Sequence, residues 1–383
     1  MLLPGVFSRA TDEFLASFAG STNRAWNNYE NDFIPHCDLM NPLANGTPGP
    51  KGPECGGWSN QSFGKNVRTL SYDPRVLKGW NIREFTWDLD LTLQQQLAPR
   101  VSVSVGYVRR VWGNWTVTHN RVTSPSDYGQ FTLTAPADSR LPGGGGYTVT
   151  GIDINPDKFL VPADNFVSFA SDYGTQIEHY NGIDFNVNAR LHGLTVIGGF
   201  TTGKKILNNC DIVAKVPEVQ LGPVQQPREF CDLQTPFLTP IKGLAIYTVP
   251  RVKLEVSGTF QSKPTVGQNF PSIGSESLAA NWLVSTTAIQ PSLGRPLAGG
   301  AQVTFLNIVK PGTLYGPRIN QFDFRVARTM RFEQKRINIA LDFYNIFNSS
   351  VADSFTQTYG ASWLAPLSIL PARFAKIGVQ FDF

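Results

Sequence analysis

The sequence predicts an all-β protein: an antiparallel transmembrane β-barrel wall of about nine or ten strands, with long extracellular loops and short periplasmic turns. Three observations carry that expectation. Hydrophobicity alternates with a period of two along residues 82–383. The connections alternate between short and long. Charge is kept out of the apolar positions, as expected where a charge at the bilayer midplane costs about 2–4 kcal/mol.

The strands follow in order. Phe85, Trp87, Leu89, Leu91 and Leu93 alternate with Thr86, Asp88, Asp90, Thr92 and Gln94. After the turn "LAPR", Val101, Val103, Val105 and Tyr107 alternate with Ser102, Ser104 and Gly106. Ile183, Phe185, Val187, Ala189 and Leu191 lead through His192-Gly193 into Leu194, Val196, Gly198 and Phe200. Leu244 and Ile246 form the apolar set before a turn at Pro250. Val252, Leu254, Val256, Gly258 and Phe260 form the set after it. Phe322, Phe324 and Val326 pair with Ile337, Ile339, Leu341 and Phe343 around the charged turn "RFEQKR". The last strand, "RFAKIGVQFDF", alternates Ala375, Ile377, Val379, Phe381 and Phe383 with Lys376, Gly378, Gln380 and Asp382.

Short connections fall near 97–100, 192–193, 249–251 and 331–336. Long ones run through about 113–176, 206–241, 264–319 and 348–372. A sandwich or propeller has no reason to sort its connections this way, whereas an outer-membrane barrel does. With the short turns inside, Phe383 ends on the periplasmic side. Residues 1–81 read as an extracellular loop region with a possible N-terminal strand or short helix; "TDEFLASFA", capped by Thr11, is the helical candidate. Residues 82–383 read as the barrel part.

Charged residues are only 16% of the chain, well under the globular average of about 25%. The net charge of +4 is spread over the chain, so there is no basic stripe and no nucleic-acid partner is expected. The start "MLLPGVFSRATDEF" does not read as a signal peptide, because its apolar run breaks at Pro4 and Gly5. Four cysteines form two local pairs in loop-like segments, Cys37 with Cys55 and Cys210 with Cys231. Four cysteines allow three connectivities, of which the local one is expected, in an oxidising compartment. Free thiols are the alternative; zinc is disfavoured, since no Cys-x-x-Cys is present.

Motifs for chemistry fall short. "GGFTTGKK" at 198–205 ends on Lys205 rather than Ser or Thr, and "ILNNCD" after it does not read as a helix. Asp153, Asn155 and Asp157 have calcium-loop spacing, but Lys158 stands where Gly is needed and Asp164 where Glu is needed. "LPGGGGY" at 141–147 reads as a tight or flexible turn. The four histidines, His36, His119, His179 and His192, share no motif. No Gly-x-Ser-x-Gly elbow occurs. Asn60, Asn114 and Asn348 open glycosylation-type triplets, which chance supplies often. No catalytic residue, cofactor or metal is expected.

The stretch "RINQFDFRVARTMRFEQKRINIALDFYNIFNSS" resembles the late strands of TonB-dependent outer-membrane transporters, and "DFYNIFN" is its most recognisable part. Asp342, Phe343, Tyr344, Asn345, Phe347 and Asn348 carry that likeness. "NRAWNNYENDFIPHCDLMNP", "YNGIDFNVNARLHG" and "PLSILPARFAKIGVQFDF" are similar to the Oar-like branch, whose members carry a carboxypeptidase-regulatory-like domain. The resemblance implies a 22-stranded barrel with an N-terminal plug, driven by TonB, and a small-molecule or glycan ligand. It departs from that family in showing no plug, no TonB-contacting box and only about nine strands. An odd count predicts the C-terminal portion of a larger barrel, coupled to TonB only through a plug this chain lacks. The ending, with Ile377, Val379, Phe381 and Phe383, resembles the signal that outer-membrane proteins show to the barrel-assembly machinery. Two rival expectations remain: a complete small porin-like or structural barrel, and a secreted all-β adhesion or binding module.

Overall fold

The computed structural model describes residues 17–50, 52–67, 70–159, 161–265, 277–333 and 335–383. Thr11 and most of the helical candidate lie outside the described residues; Ser17–Phe18 is a two-residue strand paired with Asn66–Val67.

Nine long strands form one antiparallel sheet in chain order. They are β1 (Phe85–Ala98), β2 (Val101–Gly113), β3 (Ile177–Leu191), β4 (Leu194–Asn208), β5 (Ile241–Val249), β6 (Leu254–Lys263), β7 (Ile319–Phe332), β8 (Lys335–Tyr344) and β9 (Phe374–Asp382). A short tenth strand, Asp232–Gln234, pairs with the far end of β4. The protein is all-β, and its main sheet is a single antiparallel wall. The wall is open: β1 and β9 are its edges, and both run from the long-connection end to the short-turn end.

Residues directly opposite in an antiparallel ladder share a face. The register therefore sorts the side chains. Leu93, Val105, Phe185 and Phe200 form one row of the apolar face. Phe260, Phe322 and Phe324 continue that face, and Phe343, Leu341, Ile377 and Val379 complete it. Leu91, Leu93, Ile377 and Phe381 are more than half exposed, and no described part of the chain covers them. The other face carries Asp88 and Arg110 at 2.5 Å, Arg325 and Asp342 at 3.2 Å, and Arg336 and Asp382 at 2.7 Å. Cations reach the apolar face only toward its borders, with Arg109 opposite Leu89 and Arg328 opposite Ile339.

One strand corrects the sequence reading. Leu244 lies opposite Ile197 and Thr259, and Ile246 lies opposite Thr195 and Ser257, so both sit on the polar face. The apolar face of β5 is Ile241, Gly243, Ala245 and Tyr247. Alternation alone favoured the bulkier pair. The ladder with Phe200 and Phe260 decides otherwise, because a one-residue slip would turn the whole strand over. Val252 likewise belongs to a turn, not to a strand.

All four short turns sit at one end, at 99–100, 192–193, 250–253 and between Phe332 and Lys335. Each holds a residue in the left-handed region: Arg100, Gly193, Lys253 and Glu333. The long connections sit at the other end and fold together into a cap. Its main core joins Phe131 and Val149 from the β2–β3 connection to Ile289, Leu306 and Ile308 from β6–β7 and Trp363 from β8–β9. The helix Thr286–Leu293 packs in this cap, started by Ser285 accepting from the Ala288 N–H and stopped by Gly294 in the left-handed region.

Candidate functional site: the cap and its cavity

Polar ties between different connections lock the cap. The Asp153 carboxylate is bound by Arg295 and by the Ala298 N–H at 2.9 Å, so this residue joins two connections instead of forming a calcium loop. Asp164 is likewise engaged, by Arg121 at 2.8 Å. Burial raises the Asp153 carboxyl, while Arg295 and the Ala298 N–H pull it the other way. Glu218, from β4–β5, accepts from the Asn120 N–H at 3.0 Å and contacts the His119 ring at 2.7 Å. Thr150 donates to Glu229, and Tyr147 O–H donates to the Ile308 carbonyl at 2.6 Å. Burial pushes the Tyr128 hydroxyl up to about 12.

Arg140 ties two connections of the cap together. It pairs with Asp138 at 2.7 Å, donates to the Trp363 carbonyl at 2.9 Å and stacks 5.3 Å over the Trp363 ring. Its guanidinium holds the Asp138 carboxyl well below the usual range, helped by the Arg140 N–H. A lowered carboxylate adds stability above its unfolded pKa of about 3.9, and that stability disappears as pH falls through the folded value. The Asp138→Asn cap is therefore expected to be more protease-sensitive than the parent at neutral pH. The difference should close in strong acid, below the ordinary aspartate range. A difference independent of pH would refute this role for Asp138.

"LPGGGGY" is the tight turn between strands Tyr128–Thr134 and Thr148–Ile154. Gly145 has φ 79°, and a Cβ there would collide with the Pro136 carbonyl, so the turn requires glycine. "GGFTTGKK" lies wholly within β4, and a short helix, Cys210–Lys215, does follow at the strand's end. That helix corrects the sequence reading but sits beyond Asn208, too far along the strand to make a phosphate loop of Gly203 and Lys204.

A cavity of about 940 Å³ lies at the loop end. Its lining comes from three segments, among them Arg75, Lys78, Trp80 and Asn81, then Asn114 and Trp115, then Gln176. Arg75 fixes its wall by binding Asp73 at 2.7 Å and Asp172 at 2.6 Å. Asn114 donates to the Asn81 carbonyl at 2.5 Å and holds the opposite side. Trp115 packs against Val117, Ala170, Ile212 and Val216, and its indole N–H is buried with no partner among the described residues. Trp80 is 97% exposed at the mouth. Two indoles, three side-chain amides and two cations, Arg75 and Lys78, thus converge on one open space. Such a lining offers stacking faces and hydrogen bonds to a polar ligand with apolar flanks. A second hollow of about 600 Å³ lies on the wall, where Ile197 and Leu244 sit among Gly199, Lys242, Thr259 and Gln261 of the polar face.

The residues singled out in the sequence lie apart. Cys37 is bonded to Cys55 and Cys210 to Cys231. The first bond closes a segment that Arg24 staples by donating to the carbonyls of Gly56, Asp38, Asn41 and Leu43. The second braces the β4–β5 connection. Asp342, Phe343 and Tyr344 end strand β8, but Asn345, Phe347 and Asn348 lie past it. Asn345 and Asn348 have φ 49° and 53°, so the phrase is a strand and its corner, not strand alone. Asn345 makes the corner: it donates to the Ser349 and Pro371 carbonyls, and its N–H binds Asp323 at 2.8 Å. Ile377, Val379 and Phe381 line the apolar face of β9, and Phe383 is fully exposed. His36 lies near Glu30 and Asp32 in an exposed group, and nothing else there points to an ion. Sequence reasoning did not single out Trp80, Trp115 or Arg140. The density of tryptophan beside the strand ends, in "GWNIREFTW" and "VWGNWTV", was the available signal for the first two.

No family model and no curated protein matches the chain. Among solved structures it is similar to the outer membrane transporter YddB from Escherichia coli, at 11% identity and a TM-score of 0.37, over 85% of this chain and 34% of that one. It is also similar to the siderophore receptor PirA from Pseudomonas aeruginosa, at 12% identity and a TM-score of 0.23, over 78% of this chain and 53% of that one. The chain thus spans about a third of the first structure and about half of the second.

Proposed function

We propose that this chain is part of the wall and the external cap of an outer-membrane β-barrel transporter or receptor, of the TonB-dependent type and nearest its Oar-like branch. One observation carries the reading. Four short turns gather at one end of an antiparallel wall and four long connections at the other, and one face of that wall is a continuous apolar belt. The polar face then lines a lumen, and the short turns lie in the periplasm. Both edge strands run toward the turns, so an antiparallel barrel closes only with an odd number of strands beyond these nine. Coupling to TonB would run through a plug domain outside this wall. The Trp80–Trp115 cavity is the place where the cap meets a small polar molecule or glycan. The role is binding and passage, not catalysis.

Fractionation tests this. The protein carrying this chain should sediment with outer membranes and should shift its gel mobility on heating in detergent. Recovery from the soluble periplasm without detergent would defeat the proposal. The same assay tests the ending. Deletion of Phe383 is expected to lower the amount assembled in the outer membrane several-fold, with synthesis unchanged. Equal assembly would remove Phe383 as a signal to the assembly machinery.

A further inference from the structure

On the apolar face, at the cap end of β7, β8 and β9, lies a groove of about 460 Å³. Phe324 and Phe343 face each other across one ladder, and Ala375 faces Phe343 across the next. Ala375 is the small member of its row, and the room it leaves is part of the groove. Ile346 borders it, and the rings of Tyr344 and Phe374 stack beside it at 4.6 Å. Arg373 stands at the mouth and is exposed. Its backbone N–H donates to the Asn348 side chain at 3.0 Å, but its guanidinium has no partner among the described residues. Arg110, Arg325 and Arg336 on the polar face are each paired with an aspartate; Arg373 is the cation that stands at this groove.

The combination selects an occupant. An apolar groove on a membrane-facing surface takes an acyl chain. An unpaired guanidinium at its upper end, level with the strand ends, takes an anion at the headgroup depth. The planar fork of arginine fits a phosphate through two parallel N–H donors better than it fits a point charge. We propose that this groove binds one phosphorylated lipid of the cap-side leaflet, with an acyl chain along Phe324, Phe343 and Ala375 and its phosphate on Arg373. The inference rests on the reading of this face as lipid-facing.

Matched lipids test it. The membrane-extracted protein is exchanged into micelles doped with phosphatidic acid, or with diacylglycerol of the same chains, and retained lipid is counted by native mass spectrometry. One phosphatidic acid should be kept and diacylglycerol should not. Arg373→Gln should lower that retention about tenfold, the value of one charged hydrogen-bonding partner. Ala375→Trp should abolish it by filling the groove while leaving Arg373 in place. Equal retention by Arg373→Gln, equal retention of diacylglycerol, or displacement by inorganic phosphate would overturn the site. If Arg373→Gln fails to assemble, the lipid comparison on the parent and the Ala375→Trp variant still decide. A parent that does not fractionate with outer membranes overturns the barrel reading itself; an assembled parent that fails the lipid test overturns only this site.

Discussion

Phe185→Arg is expected to abolish stable assembly, whereas Ser104→Arg on the neighbouring strand is expected to be tolerated. Phe185 lies near the middle of β3, on the apolar face, opposite Val105 and Phe200. Its ring stacks on Phe200 at 5.5 Å. On the proposed lipid-facing surface a charge would meet hydrocarbon and cost about 2–4 kcal/mol, on top of the lost ring contact. Ser104 lies at nearly the same height, between Gln94 and Asn186, but on the polar face. A cation there reaches water and pays little. Heat-modifiability in detergent and unfolding in urea read both variants. Equal loss in the two would mean that both faces are alike, and the membrane reading would fail.

Trp363→Ala is expected to loosen the cap by about 3–5 kcal/mol, the usual cost of emptying a large buried aromatic site. Trp363 is 2% exposed, in the core shared by three connections. Its indole N–H donates to the Ala279 carbonyl at 2.8 Å, and its ring carries Arg140. Truncation therefore leaves a cavity, a carbonyl without its donor and a cation without its platform. Limited proteolysis should cut the cap connections much faster, while the wall still shifts on heating. Trp80→Ala is the contrast: it removes an exposed ring and should leave proteolysis unchanged. If Trp80→Ala opens the cap as far as Trp363→Ala does, burial is not what holds the cap.

The wall was legible in the sequence because an apolar face and a polar face impose a period of two. Where that pressure is met by small residues the signal blurs. On β5 the apolar-face row is Ile241, Gly243, Ala245 and Tyr247, while Leu244 and Ile246 face the polar side, and bulk misled the reading. The cap was not legible. Phe131, Ile289 and Trp363 sit in short pieces broken by Gly and Pro, far apart in the chain, and no local period reveals that they meet. The cysteine pairs were local and could be read. The cavity was not, because Trp115 and Trp80 acquire a common space only once β1, β2 and β3 are aligned.

The cap core lies between connections that leave the sheet at its two flanks. Arg140 departs from between β2 and β3, and its contacts at Trp363 and Gly360 depart from between β8 and β9. Six strands separate those exits, a distance along the sheet of about 29 Å at ordinary strand spacing. The cap is thus a string drawn across a bow. It holds the flanks of the open wall toward each other, and it stiffens the arc from one side only. A wall braced this way can flare at its turn end, where the described turns are short and separate, and stay fixed at its cap end.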